Sequence, residues 1–313
     1  MSREFQYKVL EKALREVLVC PFCKNELVSE NNFLRCKECS KKYPIIEGMP
    51  IFLECSGGEQ EKERIFRDNL KYDSFLTNEE RIIKEVGKHH VVSVMRQKAN
   101  SFINNFLPSE WVADIGTGFS WHWKNNNPNS CFIAGVDFSI TNLRVANRLL
   151  TDEDKVFLIC ADAACMPFKD NCISGLWSVQ AFQHFPGAIF REAKDEANRI
   201  LKDKFRMEIV NLNPATVLRI GSLLFGRKFA RKKQMNGMDL NRLSSQELAE
   251  VWNSFRKNIF IEFDYSELFF YSPYFKISYY PALLDRVMFL FPQIAKHIAR
   301  QIHMKVKSVD WEN

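Results

Sequence analysis

The chain has 313 residues, 46% of them hydrophobic and 26% charged, which excludes a disordered chain and suits one large domain with a smaller one, or two domains. A formal charge of +6 attracts phosphate or anionic lipid only weakly, short of the dense basic surface of a dedicated nucleic-acid binder. The strongest basic cluster, RKFARKK at 227–233, reads as a solvated loop.

From the N-terminus, MSREFQYKVLEKALREVL has neither an uninterrupted apolar core nor a small-residue cleavage site, so a signal peptide is not expected. No stretch of about 18 uncharged apolar residues follows, so a spanning helix is not expected either, and the protein is read as cytoplasmic. In a reducing compartment the nine cysteines need a reason other than disulfides. Cys20, Cys23, Cys36 and Cys39 supply it: C-x2-C-x12-C-x2-C presents two tight knuckles whose four thiolates suit one tetrahedral Zn2+. Four protein ligands leave no place for an activating water, so this zinc is structural. A short strand, a Gly48 turn and a last strand ending near Leu53 complete the unit. With Tyr43, Pro44, Ile45, Gly48 and Pro50 after the second knuckle, residues 17–54 resemble the small zinc-ribbon domain fused to, or partnered with, many methyltransferases. That resemblance implies protein contacts through the ribbon.

A polar hinge begins at Glu54, and apolar positions between 79 and 106 fit one or two helices ending before Pro108. Five short apolar runs then alternate with helical stretches: 111–116, 131–137, 155–162, 172–179 and 205–212. Such alternation predicts an α/β fold with a parallel, doubly wound sheet that binds ligands beyond the C-terminal ends of its strands. Three domains are expected: 1–55, the ribbon with an N-terminal helix; 56–108, a linker with leading helices; and 109–313, the α/β domain, with an acceptor-specific insertion at about 213–300.

The first of these strands runs into DIGTGFSWHW, 114–123. Gly116 and Gly118 lie where backbone approaches a ligand, and Asp137 stands 21 positions past Gly116, where a carboxylate reaches ribose hydroxyls. Ser120 replaces a third glycine that a pyrophosphate would use, and Asp114 suits a cationic ligand. Both details favour S-adenosylmethionine over a dinucleotide.

Val112 to Gly118, Gly135 to Ser139 and Ala161 to Phe168, followed by DNCISGLWSVQAFQHFP, resemble in order the motifs of class I S-adenosylmethionine-dependent methyltransferases of the type 11 kind. The resemblance covers roughly 109–212 and implies a Rossmann-like fold. Gly116 and Gly118 would border the methionine part of the cofactor and Asp137 the ribose. Asp162 and Ala163 would meet the adenine edge, and Phe138 its face. Ser120, and Lys204-Phe205 in place of a Pro-Gly-Gly turn, depart from the pattern.

Trp177, Ser178, Gln180 and Gln183 are candidates for the acceptor side. His184 and His122 are the titratable groups there, each with a packing reading beside a proton-transfer one. The C-terminal region reads either as a helix packed on the sheet followed by a terminal strand, or as a cover over an apolar acceptor with peripheral membrane contact. The expected activity is methyl transfer to a small-molecule or lipid- or sugar-linked acceptor. The alternatives are an RNA methyltransferase and a non-catalytic partner protein with this fold.

Overall fold

The structure, a computed structural model, describes residues 1–53, 90–126, 129–185, 187–214, 234–235, 238–239, 243–256, 258–266, 270–272, 277–279, 292–299 and 301–312. The hinge after Glu54, residues 79–89, the basic cluster at 227–233 and much of the 213–300 insertion lie outside the described residues. In chain order the elements are α1 (Arg3–Glu16), β1 (Leu27–Glu30), β2 (Phe33–Cys36), β3 (Lys42–Ile46), β4 (Met49–Phe52) and α2 (His90–Ile103). The α/β part continues with β5 (Trp111–Ile115), β6 (Phe132–Asp137), α3 (Ile140–Leu149), β7 (Val156–Ala161), β8 (Ile173–Val179), α4 (Gly187–Ile200) and β9 (Leu201–Leu212). Then come β10 (Gln234–Met235), β11 (Met238–Asp239), α5 (Ser245–Asn253), β12 (Ile259–Ser266), β13 (Phe270–Ser272), β14 (Ile277–Tyr279), α6 (Pro292–Ile298) and β15 (Gln301–Ser308).

The chain divides into two units, Met1–Trp177 with Glu192–Phe205, and Ser178–Arg191 with Arg206–Asn313. In the first, the Ser2 hydroxyl caps α1 by accepting the Phe5 N–H at 3.1 Å. The buried residues of α1, Gln6, Val9, Leu10 and Ala13, fall at the three-four spacing of a single face. β1 to β4 form an antiparallel meander, and β4 then pairs in parallel with β7, Ile51 opposite Cys160 and Phe52 opposite Ala161. The ribbon thereby extends the parallel strands β7-β6-β5-β8. β5 and β7 are buried at every position, which is why they read as continuous apolar runs.

Where β4 does not reach, the edge of β7 is closed by a side chain. The fully buried Gln6 amide donates to the Val156 carbonyl at 3.0 Å and accepts the Leu158 N–H at 3.3 Å, standing in for a strand that would otherwise leave backbone groups unpaired. The turn before β4 needs Gly48: its φ is +82°, and a Cβ there would lie 2.6 Å from the Gln6 Cβ. Gly48→Ala is expected to cost about 2–4 kcal/mol through left-handed strain and overpacking, measured as a fall in the thermal midpoint. An unchanged midpoint would show that the α1–turn contact is loose.

In the second unit β9 pairs antiparallel with β15, and β15 with β12. The expected capped helix is α5, where Ser244 and Glu247 form a reciprocal capping box. Its Trp252 is fully buried among Phe182, Phe190 and Phe255. The fifth strand starts at Leu201, four residues before the expected start at 205. Its charged opening, LKDK, hides its strand character because Asp203 and Lys204 face solvent. The terminal strand is present as β15, and among the described residues no helix is long and apolar enough to cross a membrane.

Candidate functional site

The four cysteines come together. The sulfurs of Cys20, Cys23, Cys36 and Cys39 all lie within 4.8 Å of one another, with Cys20–Cys39 at 3.7 Å and Cys23–Cys36 at 3.4 Å. Tetrahedral zinc, with Zn–S near 2.3 Å, sets sulfurs about 3.8 Å apart, so the donor set fits that ion. Their protonation shows what a cation resolves. Burial opposes ionisation of Cys23, but the Asn25 backbone bond and Cys36 outweigh it and hold the thiol at about 6. The Lys41 backbone bond favours a Cys39 thiolate, yet burial and the neighbouring sulfurs push it up to about 12. Sulfurs this close cannot all carry charge without a metal among them. The first knuckle is also fixed to the α/β sheet: the Val19 N–H donates to the Pro167 carbonyl at 2.9 Å, and Lys24 reaches the Met166 carbonyl and Glu196.

The loop after β5 is held from below by Asp114. This fully buried carboxylate accepts from the Trp123 indole at 2.7 Å and lies 3.0 Å from His122 Nε2, both on its Oδ2, which also accepts from the Thr117 hydroxyl. Trp123 and His122 thus tie the short 3-10 turn at 121–123 back onto β5. Among the described residues, three buried atoms here find no hydrogen-bond partner: Asp114 Oδ1, His122 Nδ1 and the Trp177 indole nitrogen. Trp177 is itself fully buried, its ring centroid 6.2 Å from that of His122 and 5.8 Å from that of Trp123.

Above Asp114 the backbone turns left-handed three times, at Gly116 (φ 70°), Gly118 (φ 55°) and Ser120 (φ 50°). Ser120, where a third glycine is often found, accommodates that conformation with its hydroxyl 2.6 Å from that of Thr117. Among the described residues, a Cβ on Gly118 would meet nothing within 4 Å. Asp137, at the end of β6, binds the loop through its Oδ2, which accepts the Gly118 N–H at 2.9 Å. Its Oδ1 accepts the Ser139 N–H at 2.9 Å. Ser139 in turn caps α3. Phe138 is half-buried. Asp162 and Ala163 follow β7, and Asp162 accepts the Ala164 N–H at 2.9 Å. Burial, with help from the Glu192 charge, pushes the Asp162 carboxyl above its ordinary range against the pull of that bond.

Ser178, Gln180, Gln183 and His184 fall in the second unit. Gln183 is buried and its side-chain oxygen accepts the Leu212 N–H at 2.7 Å. Gln180 has φ 57° and donates its N–H to the Val210 carbonyl at 2.7 Å. Ser178 is fully buried, and His184 is half-buried beside Gln183, at 3.3 Å. All four therefore stand around the end of β8 or against the last residues of β9. Sequence reasoning passed over Gln6 and gave Thr117 no role of its own. Trp123 reads from sequence as packing or as a pocket wall; the signal for its tie to β5 was an indole nine positions after a buried strand-end carboxylate.

Residues 113–205 match the family model described as a methyltransferase domain, and residues 11–48 match that of Trm112p-like proteins. Over 47 residues the chain is 45% identical to a UPF0434 protein of Methylobacillus flagellatus and 40% identical to one of Nitrosococcus oceani, 14% of this chain and 78% and 80% of those proteins. Similar solved structures include a complex containing the Haloferax volcanii Trm112 methyltransferase activator, at TM-score 0.49 and 16% identity over 76% of this chain and 97% of that one. Another is a geranyl diphosphate methyltransferase in complex with GPP and sinefungin, at TM-score 0.46 and 14% identity over 69% of this chain and 78% of that one.

Proposed function

Because this chain belongs to the S-adenosylmethionine-dependent methyltransferases and carries a Trm112p-like zinc ribbon in the same polypeptide, we propose that it methylates a small-molecule or lipid- or sugar-linked acceptor. The observation that carries the acceptor class is the neutral character of the candidate acceptor side: Ser178, Gln180 and Gln183 offer hydroxyl and amide groups, with His184 the one titratable member. A polyanion is met by cations, whereas a compact acceptor is oriented by a few neutral polar groups.

S-adenosylmethionine supplies a methyl group activated by its sulfonium. The chain's task is to bind and align. Asp137, at the end of β6 where it accepts from Gly118, Ser139 and Asn142, is the carboxylate assigned to the ribose hydroxyls, and the glycine backbone at Gly118 gives access to the methionine part. The unpartnered Asp114 oxygen is an acceptor for the cofactor's ammonium, since a buried carboxylate oxygen left unpaired is costly. Asp162 and Ala163 serve the adenine edge and Phe138 its face. His122, bound to Asp114, is a loop holder in this reading, and His184 is left to the acceptor side.

Incubation with methyl-labelled cofactor and fractionated cell extract tests the reading. Label is expected in a small-molecule or lipid fraction; label in RNA would overturn the acceptor class, and cofactor binding without transfer would overturn the activity. Asp162 adds a pH dependence. Its carboxylate accepts the adenine amino hydrogen more strongly when ionised than when protonated, and its folded-state range is raised, so cofactor affinity is expected to fall on acidification at a higher pH than an exposed aspartate would cause. Asp162→Asn, which keeps a carbonyl acceptor, should flatten that limb in calorimetric titrations; an unaltered limb would remove Asp162 from the adenine site.

A further inference from the structure

Along α1 runs a groove of about 320 Å³ that neither the zinc knuckles nor the cofactor loops line. Its floor is apolar, made of the half-buried rings of Phe5 and Phe132 and the buried Val9. Its rim is cationic. Lys8, Lys12 and Arg15 follow one another about a turn apart on the helix, and Lys155 reaches in from the turn before β7. All of these residues belong to the first unit. The Lys12 and Lys155 ammonium groups stand 5.0 and 5.6 Å from the Phe132 ring centroid.

The rim charges are unequally engaged. Lys12 pairs with Glu16 at 2.5 Å, and Lys155 donates to the Ser130 carbonyl at 3.1 Å. Two carboxylates also line the groove: Asp152 accepts the Ser2 N–H and hydroxyl, each at 2.6 Å, and Glu153 is exposed. Lys8 and Arg15 are exposed, and among the described residues neither side chain forms an ion pair. A helix face given over to water is polar throughout, and lysine stems can lie down over neighbouring apolar surface. Here a slot with a phenyl floor remains between them.

The slot is long. From Phe5 to Arg15 the helix rises roughly 15 Å, the reach of four or five residues of extended chain. It also lies away from the proposed cofactor site: Phe132 opens β6 and Lys155 precedes β7, whereas Asp137 and Asp162 stand at the other ends of those strands, roughly 16 Å along.

We propose that this groove docks an acidic segment of a partner protein, a short extended stretch with one bulky apolar side chain between carboxylates. The apolar side chain covers Phe5, Val9 and Phe132, and the carboxylates beside it meet Lys8 and Arg15. A nucleic-acid backbone would carry its phosphates past Asp152 and Glu153 as well, where like charge repels it. A compact ligand would leave most of the slot uncovered. Docking here does not involve the cofactor loops, so the proposal holds whether or not the methyl-transfer reading does.

Fluorescence anisotropy tests this on the full chain, with a fluorescein-labelled peptide that has one central phenylalanine and three glutamates on either side. Saturable binding tighter than about 1 mM is expected, weakening as salt is raised. The double variant Lys8→Glu with Arg15→Glu should bind at least about 10-fold more weakly while melting within about 2 °C of the parent, since both side chains are exposed. With a photoreactive benzoylphenylalanine at its centre, the peptide should cross-link to the fragments containing Phe5 and Val9 or Phe132. No binding below about 1 mM, equal affinity in the double variant, equal affinity for a peptide with glutamines in place of glutamates, or cross-links only elsewhere would each overturn the proposal. A labelled single-stranded oligonucleotide that binds more tightly than the peptide, and is lost in the same variant, would give the rim to nucleic acid instead.

Discussion

Cys36→Ser is expected to drop zinc in the purified protein well below one ion per chain and to lower the thermal midpoint by roughly 6–12 °C, the shift that about 3 kcal/mol produces in a unit of this size. Cys36 is fully buried at the end of β2, and its N–H donates to the Lys41 carbonyl at 2.9 Å, closing the second knuckle. Structural zinc contributes on the order of 10 kcal/mol to isolated fingers, so losing one of four ligands removes a large part of what orders the ribbon. The damage does not stop there. β4 is a neighbour of β7 within the same sheet, and Val19 and Lys24 hold the 166–167 turn. Metal analysis and a melting curve check this together. A variant that keeps a full zinc ion and melts within about 1 °C of the parent would remove Cys36 from the ligand set.

Asp137→Ala is expected to weaken S-adenosylmethionine binding about 100-fold in calorimetric titration, while lowering the thermal midpoint by only a few degrees. In the proposed site the ribose bonds of this carboxylate, charge-assisted and worth about 1.5–3 kcal/mol each, would account for that loss, a tenfold change corresponding to about 1.4 kcal/mol. The same carboxylate holds the Gly118 and Ser139 N–H groups, so the alanine variant also frees the loop. Asp137→Asn separates the two effects, since its carbonyl accepts from one backbone N–H. It should recover part of the fold stability but little of the affinity. Full affinity in both variants would place the ribose elsewhere.

Much of the sheet was legible because its strands are short, uninterrupted apolar runs bounded by glycine, asparagine or aspartate. β5, β6, β7 and β8 start within one residue of their expected places. The knuckles were legible for a different reason, since ligand spacing is local. What was not legible is pairing between distant segments. Nothing near Ile51 announces Cys160 as its neighbour, and nothing near Gln6 announces Val156 and Leu158. The Trp-His-Trp run was equally opaque: its meaning lies in Asp114 Oδ2, which accepts from Trp123 and lies within bonding distance of His122 only once the turn has folded back.

The pairing of β4 with β7 also fixes a composition. UPF0434 proteins match this ribbon over most of their own length, whereas here the same module precedes its methyltransferase domain on one chain. A module on the same chain as its partner meets it at an effective concentration that dilution does not change. Ribbon and catalytic domain are consequently produced one to one, and diluting the protein does not separate them, so specific activity should be the same at nanomolar and micromolar enzyme.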